Sequence, residues 1–128
     1  MNIELLFEKM SNDSDHCSLA DFEKVAVNTG DTVLQLFNKT ALYFAKAFMA
    51  KEVDFDCADG ALNDIFSIMI THSHKTDEEF VDSIAYLIYD AFDAGEYSPR
   101  RNEDPVKTRT IPLLQKIFKE LDKNGFIE

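Results

Sequence analysis

Apolar residues recur along most of the chain at intervals of three and four, and period-two alternation never persists over a strand's length. That pattern predicts helices and no sheet. Residues 2–10 form a short amphipathic candidate, followed by a polar loop over 11–17. Ser18, with Asp21 three residues on, predicts an N-cap, and Gly30 a C-terminal stop. Asp31 or Thr32 then opens the longest helix, expected to run to about Val53 with Val33, Phe37, Ala41, Phe44 and Phe48 as its core face. Asp59 is expected to cap a fourth helix whose Leu62, Ile65, Phe66, Met69 and Ile70 face inward. Thr76 and Glu79 have capping-box spacing for a fifth helix ending at Ala94 and Gly95. A loop over 96–109 holds Pro99 and Pro105. Thr110 then caps a last helix, about 111–124, with Pro112 in its first turn and Gly125 past its end. The fold class is therefore all-α, a single domain over 1–128 packed as an irregular bundle of five to six helices.

The fifth helix divides into two faces. Phe80, Ile84, Ala85, Leu87, Ile88, Ala91 and Phe92 gather on one side as core candidates. On the other, Glu79, Asp82, Tyr86, Asp90, Asp93 and Tyr97 follow one another at spacings of three and four. Carboxylates at helical spacing repel by a few tenths of a kcal/mol per pair, so local helix stability does not explain the stripe. Tyrosine anchors interfaces with a large apolar body and a polar tip, and ringed by carboxylates it suits a partner presenting Arg and Lys. The plainer alternative is that Tyr86 lies flat over neighbouring helices while the acids keep the chain solvated. On the long helix, Leu42 and Met49 fall on an otherwise polar side, either covered by the terminal helices or forming a seam between two copies.

Charge sharpens this picture. The chain is 45% hydrophobic and 29% charged, which excludes a disordered tail or a disulfide miniprotein. Its net charge of −11 is carried entirely by residues 52–96, where 12 acids face one base, Lys75. So acidic a segment repels nucleic acid and anionic lipid. No apolar run approaches the roughly 18 residues of a membrane span, and the N-terminal residues lack a signal peptide's pattern. Cys17 and Cys57 have no metal-type spacing, which points to buried or free thiols in a reducing, cytoplasmic setting. The cations Arg100, Arg101, Lys107 and Arg109 form a basic loop over 97–109, expected to fold back over the acidic helices.

Candidate chemistry is sparse. Asp54, Asp56 and Asp59-Gly60 echo a calcium loop, but the third acid is one residue late and no bidentate Glu follows. His72 projects inward and His74 outward, so the two diverge, and a core role is expected for His72. No serine elbow, Cys/His signature or phosphate-cradling glycine loop occurs, and no cofactor is expected. Asp56 with Asp59, then Glu79 with Asp82, resembles the two acidic pairs with which all-α nucleotide pyrophosphohydrolases hold magnesium. The resemblance covers these four residues, implies a metal-dependent hydrolase, and departs where Asp56 and Asp59 fall in a loop and a cap.

The sequence therefore favours a non-catalytic protein that occupies a basic protein partner through Glu79, Asp82, Tyr86, Asp90 and Asp93, flanked by Asp64 and Tyr89. In size, charge and helical character it is similar to immunity proteins and antitoxins that neutralise nuclease toxins. The alternatives are the magnesium-dependent hydrolase and a homodimeric regulatory scaffold joined through Leu42 and Met49.

Overall fold

The computed structural model describes residues 2–11, 17–97 and 103–123. Six α-helices occur among them: α1 (Ile3–Ser11), α2 (Leu19–Thr29), α3 (Val33–Met49), α4 (Phe55–Thr76), α5 (Ile84–Asp93) and α6 (Ile111–Lys123). No strand occurs among the described residues, as the periodicity predicts.

The first helix starts are written locally. Ser18 accepts from the Asp21 amide while Asp21 accepts from the Ser18 amide, a reciprocal box that satisfies two orphan donors of α2. Gly30, with φ of 81°, ends the same helix. Thr32 and Gln35 form a second box at the head of α3.

Three boundaries differ from the sequence expectation. The longest helix is α4, and α3 stops at Met49 rather than near Val53. Lys51 takes the left-handed conformation, its amide donates to Phe48 O and the Glu52 amide to Ala47 O. Those two bonds are a Schellman motif built without glycine. The start of α4 is capped by Asp54, which accepts from the Cys57 amide, so Asp59 sits inside the helix and caps nothing. Its end falls at Thr76, where Asp77 is left-handed with φ of 61°. Thr76 therefore closes α4, donating its hydroxyl to His72 O, and opens no helix with Glu79. The N-cap of α5 is Ser83, and residues 77–83 are a connector.

The last helix also begins differently. A π-helical turn, Val106–Thr110, leads into α6, and the Ile111 amide reaches back five residues to Val106 O. Pro112 explains it: lacking an N–H and crowding the carbonyl four residues back, it forces the turn to widen. Asp104 takes the capping role expected of Thr110, its carboxylate accepting from the Val106 and Lys107 amides. Gly125 lies outside the described residues.

Helix α3 packs against α4 and α5, which also pack on each other; α1 and α2 cover α3 and α4, and α6 rests on α5. Phe22, Phe37, Phe44, Leu62, Ile65, Met69, Ile88 and Phe92 are fully buried among them. Val33 and Phe48 of the expected α3 face are only half-buried, while Ile70 and Leu87, expected inside, are exposed. Leu42 and Met49 are half-buried and packed against the core. Asn38 of α3 accepts from the Ala85 amide at 2.9 Å, tying the head of α5 to α3.

No helix among the described residues is long and apolar enough to cross a membrane.

Candidate functional site: the acidic and aromatic face of α4 and α5

Helices α4 and α5 run antiparallel, and their facing residues pair in register. Asp59 of α4 faces Glu96 and Asp93 at the end of α5, Asn63 reaches Glu96, and Phe66 meets Tyr89 farther along both helices. The lower half of this seam is aromatic. Phe66 stacks on Tyr89 with centroids 4.1 Å apart and planes 9° from parallel. Phe80 and Tyr86 close the group, their rings 5.8 Å apart and each about 6 Å from Phe66. Both tyrosines are half-buried by these contacts.

The upper half is acidic. The Asn63 amide nitrogen lies 3.5 Å from Asp59 Oδ2 and 3.4 Å from Glu96 Oε2, bridging the two carboxyls with long hydrogen bonds. Asp59 Oδ1 is buried and finds no hydrogen-bond partner among the described residues. Burial and the Glu96 carboxylate, reinforced by Asp93 and Asp56, push the Asp59 carboxyl up to about 7. Burial, Glu96 and Asp90 likewise raise Asp93, and burial with Asp93 and Glu96 raises the Tyr89 phenol.

No ion pair neutralises this charge among the described residues, although Lys116 of α6 lines the same groove as Asp90. The ion pairs there join Lys9 to Asp21, Lys39 to Asp31, His72 to Glu78, Lys75 to Glu23 and Arg109 to Glu103. None involves Asp59, Asp90, Asp93 or Glu96. Arg109 pairs within its own segment instead of reaching the acidic helices, and Arg100 and Arg101 lie outside the described residues. The last turn of α5 holds Asp90 and Asp93 and no basic residue. A helix C-terminus is the negative end of its dipole, so each acid there costs about 0.3–1 kcal/mol that a cation would return.

The residues singled out from the sequence divide accordingly. Tyr86, Tyr89, Asp90 and Asp93 share α5, the tyrosines turned toward α4 and the two acids exposed. Glu79 and Asp82 are exposed on the connector, so they do not continue a helical stripe. Asp64 is exposed on α4, and its charge acts on Cys17 rather than on Asp59 or Asp93. Tyr97 is exposed. Asp59, Asn63, Phe66 and Glu96 belong to this face although the sequence does not single them out for it.

The four acids that resemble a magnesium centre do not gather. Asp56 and Asp59 lie on α4 rather than in a loop and a cap, but the carboxylates acting on Asp59 are Glu96, Asp93 and Asp56, without Glu79 or Asp82. No three His, Cys, Asp or Glu side chains come together to hold a metal among the described residues. His72 is buried and bonded through Nε2 to Glu78 Oε1 at 2.7 Å, its ring edge-on to Phe37, while His74 is exposed. Cys17 and Cys57 form no disulfide among the described residues and are half-buried, and burial with the nearby Asp21 pushes the Cys17 thiol up to about 11, away from reactivity.

Comparison with family models, curated proteins and solved structures finds no match. The site is read from its own residues.

Proposed function

We propose that this chain is a non-catalytic binding protein whose α4–α5 face docks a basic protein. The observation that supports this is the acidic charge at the end of α5, which no ion pair neutralises among the described residues. Asp90, Asp93 and Glu96 stand at a helix C-terminus, crowd one another and Asp59, and draw on none of the ion-paired cations among the described residues. Folding alone gains nothing from that arrangement, whereas an incoming Arg or Lys would relieve repulsion and complement the dipole together. The stacked Phe66 and Tyr89 beside it offer a rigid surface that loses little entropy on contact.

The partner class that fits best is an enzyme with a cationic cleft for a polyanion, such as a nuclease. Carboxylates then occupy the positions of phosphates, as an immunity protein or antitoxin does to its toxin. The test is capture from an extract of the protein's own source, with wild type and Asp90→Lys/Asp93→Lys immobilised side by side. One basic protein held by the wild type and absent from the variant is the expected result. Identical eluates from both would remove the reading.

A further inference from the structure

Leu87 is 49% exposed and Leu113 is 39% exposed, and both line one groove between α5 and α6. Ala91, Ile117 and Leu121 complete its apolar floor, and its volume is about 250 Å³. Small-molecule sites start at about 300 Å³ and carry several convergent polar groups, so this groove suits protruding side chains better than a ligand. Its charged rim consists of Asp90 on α5 with Lys116 and Glu120 on α6. Asp90 is thus shared: it borders the groove and belongs to the acidic end of α5.

We infer that the α5–α6 groove seats the apolar face of a cationic amphipathic helix from the basic partner, whose Lys and Arg residues lie over Asp90 and Asp93. This rests on the docking reading above and adds the element that docks. Charge selects the occupant. A second copy of the chain would bring its own net charge of −11 against a rim where Asp90 and Glu120 outnumber Lys116 and Asp93 stands one turn beyond, whereas a basic helix is drawn to it. Geometry agrees, because an open trough between two helices accepts anchors at intervals of three and four from a third.

The probe is a synthetic peptide with leucine at helical spacing and lysine elsewhere, set against the same peptide with glutamate for lysine. Methyl NMR of the labelled chain reads Leu87, Leu113 and Ile117. The lysine peptide is expected to shift these methyls saturably and the glutamate peptide to leave them unmoved. Leu87→Gln changes an exposed residue and should weaken the lysine peptide at least tenfold. Shifts scattered over the acidic surface and unaltered by Leu87→Gln would overturn the groove, as would a dimer of the unbound chain with Leu87 in its interface. The two readings fail separately. Partner capture that survives Leu87→Gln but not Asp90→Lys/Asp93→Lys removes the groove alone, and capture that survives both removes the docking face as well.

Discussion

Phe66 on α4 lies flat against Tyr89 on α5, and this stack holds the two helices at the spacing that brings Asp59 beside Glu96. The same two helices therefore carry an attractive aromatic half and a repulsive acidic half. Stabilising and destabilising contacts stand side by side along one seam.

Phe66→Ala removes the ring that touches Phe80, Tyr86 and Tyr89. Because Phe66 is half-buried rather than enclosed, the expected loss is about 2–3 kcal/mol, at or below the lower end for buried phenylalanine. Urea denaturation measures it. Phe66→Leu, which keeps most of the apolar contact, should cost clearly less.

The Asp59 carboxyl sets a pH dependence of definite sign. Its ordinary value of 3.8 applies to the unfolded chain, and it titrates at about 7 when folded. Between these values the native state holds a proton that the unfolded state has released, so this group's contribution to stability falls as pH rises from about 4 to 7 and is level above. Asp59→Asn removes that slope. The variant should melt higher than wild type at pH 8 and close to it at pH 4; a lower melting temperature at pH 8 would contradict the account.

Asp90→Lys places a cation at the negative end of α5 and relieves Asp93. It should raise stability by about 0.3–1 kcal/mol, less at high salt. A charge change that stabilises the fold while abolishing binding would mark Asp90 as retained for contact with a partner. Chemical denaturation at two ionic strengths measures the first half of that statement.

The end of α5 is also closed by Thr110, whose buried hydroxyl donates to Ala91 O at 2.8 Å while the Gly95 amide turns to Phe92 O. A Cβ at Gly95 would overlap the Thr110 hydroxyl and press on the Phe55 ring. Gly95→Ala should therefore destabilise although it replaces glycine, and Thr110→Val should cost about 1–3 kcal/mol by stripping a partner from a buried carbonyl. Thermal unfolding of both variants checks the pair.

Some helix boundaries carry a local signature in the sequence and others carry none. Ser18 and Thr32 announce α2 and α3 because a hydroxyl cap with Asp or Gln three residues on leaves a local signature. Gly30 announces an end for the same reason. Lys51 and Asp77 end α3 and α4 in the left-handed region with side chains that carry no such mark, so α3 reads as running on to about Val53 and Thr76 as the start of the next helix, both in error. The second error mattered most. Reading Thr76 as a start extended α5 backward through the connector and put Glu79 and Asp82 on a stripe they do not share. Leu87 was assigned to the core because period alone cannot show that α6 covers only part of α5. Asp90, Asp93, Tyr86 and Tyr89 were legible because they lie within the true α5, and their partners on α4 were not, since pairing between helices leaves no local trace.

The most direct measurement is the association rate of the chain with its captured basic partner as a function of ionic strength. If the end of α5 steers docking, the rate falls about tenfold or more from low to physiological salt, and Asp90→Lys/Asp93→Lys flattens that dependence while the variant remains folded. A rate that ignores salt and is equal for wild type and variant would contradict the account.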